Sequence, residues 1–308
     1  MLSRNNIYKE LGKNINFYPF NSENIKENSV NLTIGSNSWT KGNGTVYWYG
    51  GDNFSLVKNT PKPKATKNFK SGQNCVFEIE NNTQSKRRKK EKFIILLPHS
   101  TTIIETSEVV GIGDKIGGTV HSKVGIVAKG VGHIGTMLGP GFCGHLMISV
   151  HNITDNVIAL KVGSTFVSLC FYYLDSRVSR TSSTISGHVD KFASLGINID
   201  EATSTYLTED WKSDIKKIKN KMEMSDNYKQ FKKQLQKQRC RDVFSRFTWI
   251  GVLKSIFVLL FLVLIYYIAY GIDCKNGNSV WTERYLTIGC SGIFIPIFTY
   301  VFKNLFGD

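Results

Sequence analysis

The chain has 308 residues, 41% of them hydrophobic and 12% aromatic, with a formal net charge of +15. That much apolar material excludes a chain that stays unfolded for want of a core, and the length admits one full domain with appendages. The charge directs attention to anionic partners: nucleic acid, nucleotides or an acidic membrane face.

The first residues, MLSRNNIYKELGKN, are polar and lack the apolar run of a cleavable signal peptide. Ser3 is placed to cap a short helix running to about Gly12, ahead of Ile7 and Leu11. After Pro19 come short alternating runs, among them SVNLTIG, TVYWYG, NCVFEIE, KFIILLP, TTIIETSEVVGI, HLMISVHNI and TFVSLCFYYLD, separated by Gly, Asn, Asp and Pro. Many short strands without long helical periods predict a mainly β barrel or sandwich over residues 1–195, not a doubly wound sheet. The glycine run GIGDKIGG (111–118) follows a strand but opens no helix, so it is a poor dinucleotide motif. The run SKRRKKEK (85–92) reads as a solvated loop, with contact to acidic lipid heads as the functional alternative. Aromatic interleaving is missing there, so no nucleic-acid partner is expected. The six cysteines (Cys75, Cys143, Cys170, Cys240, Cys274 and Cys290) show no CxxC spacing, and are expected to be reduced thiols rather than a disulfide frame or a zinc site.

Residues 196–247 turn helical and charged. Ile215, Ile218 and Met222, then Tyr228, Phe231 and Leu235, form a narrow apolar stripe, which reads as a stalk or a lipid-facing helix. From Lys212 to Lys254 there are thirteen Lys or Arg against four acidic residues. Residues 248–272 then include 18 uncharged, largely apolar positions (255–272), and 286–303 include 17 more (286–302). Both are expected as transmembrane helices, joined by an external loop at 273–285 and followed by a tail at 304–308. The positive-inside rule would place the β domain and the C-terminus in the cytoplasm of a two-span membrane protein with a lipid partner.

The first zone also carries a resemblance. LSRNNIYKELGKNINFYPFNSENIKENSVNLTIGS, FIILLPHSTTIIETSEVVGIGDKIGGTVHSK, VGHIGTMLGPGFCGHLMISVHN and KVGSTFVSLCFYYLD resemble, in order, four segments of the dCTP deaminase/dUTPase superfamily, over roughly residues 1–180. The resemblance implies a distorted β-barrel or jelly roll with a short N-terminal helix, a homotrimer, and pyrimidine deoxynucleotide sites between subunits. It places the family's phosphate-binding Arg-Ser-Ser on His121, Ser122 and Lys123, and a further Arg on Ile126. It places the base and sugar pocket on Ile134, Gly135, Gly139, Gly141, His145 and Ser149. The Asp that heads the family's Asp-Pro-Gly turn falls on Gly139, the Glu that shuttles protons on Ser149, and another Asp on Asn31. No Asp or Glu occurs from Lys115 to Thr154, and residues 179–196 hold no copy of the family's C-terminal lid.

Deamination needs a base to activate water and an acid for the departing amine, each contributing roughly 10²–10⁴ in rate. A serine hydroxyl does neither at neutral pH. No catalytic residue is therefore assigned, although His121, His133, His145 and His151 offer improvised bases. No metal site is expected and no resident cofactor is assigned; Mg²⁺ could accompany a nucleoside triphosphate. Three readings stand: a catalytically degenerate, membrane-anchored nucleotide sensor or effector; an active tethered dCTP deaminase or dUTPase; and a trimeric scaffold without ligand.

Overall fold

The computed structural model describes residues 1–81, 89–133, 135–178 and 189–246, with scattered positions between 256 and 284. Two compact units divide the chain, Met1–Gln230 and Phe231–Asp308.

The first unit begins with α1 (Arg4–Glu10), capped as expected: Ser3 Oγ accepts from Asn6 N at 3.4 Å. Strands β1 (Ile15–Tyr18) and β2 (Val30–Thr40) follow, then three short ones, β3 (Gly44–Gly50), β4 (Asn53–Ser55) and β5 (Ala65–Phe69). The chain continues through β6 (Val76–Asn81), β7 (Lys89–Leu96), β8 (Thr101–Ile112) and β9 (Ile116–Ser122) to the single turn α2 (Val124–Val127). Strands β10 (Val131–His133), β11 (Met137–Leu138), β12 (Cys143–Asn152), β13 (Ile158–Lys161) and β14 (Thr165–Tyr173) complete the β region. The main antiparallel sheet runs β10-β12-β8-β2-β14-β9-β11, with β1 also on β8. Because β10 touches β9 near the other end of that order, the sheet curls toward closure. Its inner face is lined by Leu32, Ile104, Ile148, Val150 and Val167, all at most 1% exposed. The mainly β expectation is met, with β13-β7-β6 and β4-β3-β5 as two small additional sheets.

Strands β8 and β12 are buried on both faces along most of their length, because the chain comes back over the outer face. The returning segment holds α3 (Val189–Phe192), α4 (Glu201–Leu207) and α5 (Ile215–Met224), then enters α6 (Asp226–Arg246). Phe192, Ile197 and Leu207 pack on Trp39 and Ile103, and Ile218 packs on Val109 and Cys143. Further along, Met222 Sδ accepts from Phe17 N at 3.5 Å, and the Tyr228 hydroxyl donates to Leu11 O at 3.4 Å. We refer to residues 189–228 as the strap. The stripe Ile218, Met222 and Tyr228, expected in a stalk or a lipid-facing helix, is at most 2% exposed and faces the β sheet. Compact packing thus runs past residue 195, as far as Gln230.

The membrane expectation needs correction. Among the described residues no helix is long and apolar enough to cross a membrane; the longest, α6, is mostly polar and charged. The multi-pass location, with its cytoplasmic termini and lipid partner, therefore has no spanning helix among the described residues to rest on. Most of 249–272 and all of 286–303 lie outside the described residues, as do residues 85–88 of the basic run. Five cysteines are free thiols, of which Cys75, Cys143 and Cys170 are buried.

Candidate functional site

Strand β9 delivers the expected phosphate residues to one end of the sheet. His121 is exposed, with Nε2 2.9 Å from Thr119 Oγ1. Ser122 ends the strand, and Lys123 precedes α2 with its Nζ donating to Thr165 Oγ1 at 2.6 Å. That bond holds the cation at the start of β14, half-buried. Gly135 lies against the same strand: a Cβ there would be 3.6 Å from Val120 O. Ile134 is outside the described residues. Leu138 pairs with Gly118, so the Gly139-Pro140-Gly141 turn also starts beside β9. Gly141 has φ +74, a conformation suited to glycine, and its N–H reaches Gly113 O at 3.2 Å. Gly139 is exposed, with open space where a side chain would stand.

Ser149 is exposed on the outer face of β12, opposite Ile103 of β8. Within one chain no hydrogen bond joins it to His121, Ser122 or Lys123. Asn31 is buried and accepts from Ser168 Oγ at 2.9 Å. His151 Nδ1 lies 2.8 Å from Thr101 Oγ1. His145 sits under the strap, 1% exposed, away from the solvent that bathes Gly139 and Ser149.

Around His145 the fold assembles a group of titratable side chains that no motif announces. The β8–β12 pairing shifts register between His145 and Met147, and Thr106 lies at that irregularity. The Thr106 carbonyl accepts from His145 Nδ1 at 2.8 Å, while the Thr106 hydroxyl accepts from Leu146 N at 3.0 Å. Since Nδ1 carries the proton of the neutral ring, Nε2 is bare, and it has no hydrogen-bond partner. Glu105 Oε1 lies 3.2 Å from His145 Nδ1, and Glu105 Oε2 accepts from Asn37 Nδ2 at 2.7 Å. From the strap, the Tyr206 side chain faces Glu105, and its ring lies 5.5 Å from the imidazole. Lys212, 1% exposed, donates to the Tyr206 carbonyl and sits 3.2 Å from the Tyr206 ring centroid, with Glu209 at 3.8 Å.

Burial dominates the electrostatics of this group. It pushes the Glu105 carboxyl up to about 7, against the hydrogen bond from Asn37 and the charge of Lys212. It brings His145 down to about 4, with Lys212 acting in the same direction. Lys212 is itself lowered by burial, and Tyr206 is raised by burial and by Glu105. Near neutral pH the imidazole is therefore uncharged, and the carboxyl beside it is poised between acid and carboxylate.

Sequence reasoning missed Glu105, Tyr206 and Lys212. A search for carboxylates confined to 115–154 stops short of β8, and nothing local says that residues 206 and 212 fold back over residue 145. Glu108, also on β8, is structural: it accepts from Thr33 N at 2.8 Å and from Thr33 Oγ1 at 2.9 Å. Among the described residues no cluster of His, Cys, Asp and Glu could hold a metal ion.

Comparison with known proteins gives a family for the β region. Residues 1–174 match a family model described as dCTP deaminase-like. The chain is similar to 2'-deoxycytidine 5'-triphosphate deaminase from Agrobacterium tumefaciens at 11% identity and a TM-score of 0.36, covering 56% of this chain and 48% of that one. It is also similar to the dUTPase of Staphylococcus bacteriophage 80alpha at 14% identity and a TM-score of 0.26, covering 34% of this chain and 88% of that one. The matched part is thus about half the length of the deaminase. No curated protein matches the chain.

Proposed function

The chain belongs to the dCTP deaminase-like family, and from that premise we propose that its β domain binds a pyrimidine deoxynucleotide between the subunits of a homotrimer and turns it over poorly or not at all. One observation carries the reading. The two positions that the resemblance assigns to reacting carboxylates are Gly139 and Ser149; both are exposed, and neither can take or give a proton at neutral pH. Lys123, by contrast, keeps a cation beside Ser122 at the end of β9, where a polyphosphate would be met by a point charge. Val124 and Met137, 84% and 83% exposed in the single chain, supply apolar surface next to these residues, which supports a neighbouring copy there.

Hydrolytic deamination adds water at C4 of cytosine, forms the carbonyl and releases ammonia. The nucleophilic water must lose a proton and the departing amine must gain one. The buried Glu105–His145 pair cannot serve from beneath the strap, so the expectation is retention of the ligand without conversion.

The test uses the full chain with dCTP, dUTP and dTTP in Mg²⁺ buffer, following binding by calorimetry and products by chromatography in the same samples. Binding without ammonia or pyrophosphate release supports a sensor or effector. Rapid turnover would overturn it in favour of an active enzyme, and no binding would leave a scaffold. Gly139→Asp with Ser149→Glu is the complementary arm. Both sites have room for the side chain, so product formation that appears only in the double variant would mark an emptied catalytic site.

A further inference from the structure

Between β2 and β6 the chain makes an excursion that the main sheet does not use. It leaves at Thr40 and returns at the same place: Gly72 N donates to Thr40 O at 2.8 Å, Thr40 N to Gln73 O at 3.3 Å, and Trp39 bridges to Asn74. The enclosed residues form the sheet β4-β3-β5. Its inner face has a small core of its own. Val46, Trp48 and Phe69 are at most 7% exposed, and the Phe54 and Phe69 rings pack edge-on or tilted against Phe77 or Phe93 at 5.6 to 6.4 Å.

The outer face follows from strand alternation. Val46 and Trp48 point inward, so Thr45, Tyr47 and Tyr49 point outward, with Ser55 and Thr66 opposite Tyr47 and Asn68 opposite Thr45. Asn59 N donates to the Tyr49 hydroxyl at 2.6 Å, which fixes that ring in place. The Tyr49 hydroxyl also donates to Val57 O at 3.2 Å, so exposed Lys58, between Val57 and Asn59, sits beside this face. Lys41, Lys62, Lys64, Lys67 and Lys70 of the same excursion are exposed too, Lys67 on the inner side opposite Val46, and Asp52 is the one acidic residue of 41–72. Among the described residues none of the six makes an ion pair with a carboxylate; Lys64 rides over Trp48 at 5.7 Å and Lys67 donates to Val76 O at 2.5 Å. Lysines elsewhere do find acids, as Lys92 finds Glu78 and Lys161 finds Glu91.

Like charges crowded on a small, separately rooted sheet repel one another and destabilise it unless an anion comes to them. A face that sets two aromatic rings and short hydroxyl and amide side chains beside Lys58, on an excursion with six exposed lysines, matches a chain of phosphates that carries flat, unpaired bases. We infer that the β3–β4–β5 face binds single-stranded nucleic acid, its lysines meeting phosphates and Tyr47 and Tyr49 stacking on bases. The site is distinct from the nucleotide positions on β9 and β12 and does not rest on their reading. It also revises the expectation, drawn from residues 85–92, that nucleic acid is no partner.

The test is fluorescence anisotropy of the full chain with a labelled 20-nucleotide oligo-dT and its RNA counterpart, titrated at several salt concentrations. Binding is expected, weakening with salt. Removal of Lys58, Lys62 and Lys64 together (each →Ala) should weaken it about tenfold and make the log–log salt slope shallower by about 2, at roughly 0.7 per lost phosphate contact. Tyr47→Ala should weaken binding roughly tenfold with the slope unchanged, and Tyr47→Phe should restore it, since stacking needs the ring and not the hydroxyl. Tyr47→Leu, which keeps an apolar residue on the strand, should fail like Ala while leaving the melting temperature near wild type. The inference is overturned if no binding appears at 0.1 M salt, if duplex of the same length binds as tightly, or if heparin competes fully while the Tyr47 variants bind like wild type. That last result would describe a cation exchanger with no base contact.

Discussion

Lys212 in the strap and Lys64 in the β3–β4–β5 sheet each lie near a tryptophan, at 5.5 Å from the Trp211 ring and 5.7 Å from the Trp48 ring. Their surroundings differ in every other respect. Lys212 is 1% exposed and is held by the Tyr206 carbonyl and Glu209 over the Glu105–His145 pair. Lys64 is exposed with no carboxylate in reach. Burial obliges the fold to answer a charge from within, whereas exposure leaves it for water, salt or a partner to answer. Titratable side chains in the strap are therefore part of what holds the molecule together, and the lysines of the small sheet are available for binding.

That contrast can be broken by mutation. The largest effect should come from Leu207→Ala, which empties a fully buried position between the strap and Trp39. A loss of about 3 kcal/mol is expected in urea titration; a loss below about 1 kcal/mol would mean that the strap is loosely docked.

Next come the opposed titrations of Glu105 and His145. Glu105, raised from 4.5 to about 7, favours the docked state at low pH and loses that contribution as pH rises from 4.5 through 7. His145, lowered from 6.5 to about 4, contributes above pH 6.5 and loses it as pH falls through 4. With both present the slopes oppose, because docked and free states bind the same number of protons between about pH 4.5 and 6.5, and stability should be nearly flat there. His145→Gln should leave a stability that falls with rising pH, and Glu105→Gln one that falls with falling pH. Each change should amount to about 3 kcal/mol across its window, read from urea midpoints. Parallel slopes in the two variants would show that burial does not move the two groups in opposite directions.

Gly72 lies where the two regions meet, with φ +80 and only 2.4 Å between a built Cβ and Gly196 O. Gly72→Ala should cost roughly 1–3 kcal/mol through the unfavourable φ and the backbone contact. Smallest of all, Lys64→Ala should change stability by less than about 0.5 kcal/mol. A larger loss would place Lys64 in the same class as Lys212.

The sequence made some of this legible. Alternation along TTIIETSEVVGI and HLMISVHNI gives strands directly, Ser3 gives the helix start, and Gly-Pro-Gly gives the turn before β12. The apolar stripe of Ile218, Met222 and Tyr228 was also visible, but periodicity reports that a face is apolar and not what covers it. Water, lipid and a sheet of the same chain exclude or accept such a stripe on the same grounds, and the sheet is what covers it here. The meeting of Glu105, His145, Tyr206 and Lys212 was not legible, because it depends on a register shift at Thr106 and on a return of the chain across more than a hundred residues. The lysines of 41–72 could be counted in advance. That Lys58 sits beside Tyr49 and Lys67 on the side away from Tyr47 required the pairing of β3 with β5 and the contacts of Val57 and Asn59 with the Tyr49 hydroxyl.

The strap's contacts also set an order of events during synthesis. Met222 meets Phe17 across 205 residues, Asn227 meets Phe20 across 207, and Tyr228 meets Leu11 across 217. At about 5–20 residues per second, on the order of 10–40 s separate the emergence of β1 from that of the helix that covers it. Over that interval the nascent chain presents Trp39, Ile103, Val109 and Cys143 as an uncovered apolar strip. Newly made molecules therefore pass through a stage in which a chaperone, or another nascent copy, can occupy the place of the strap.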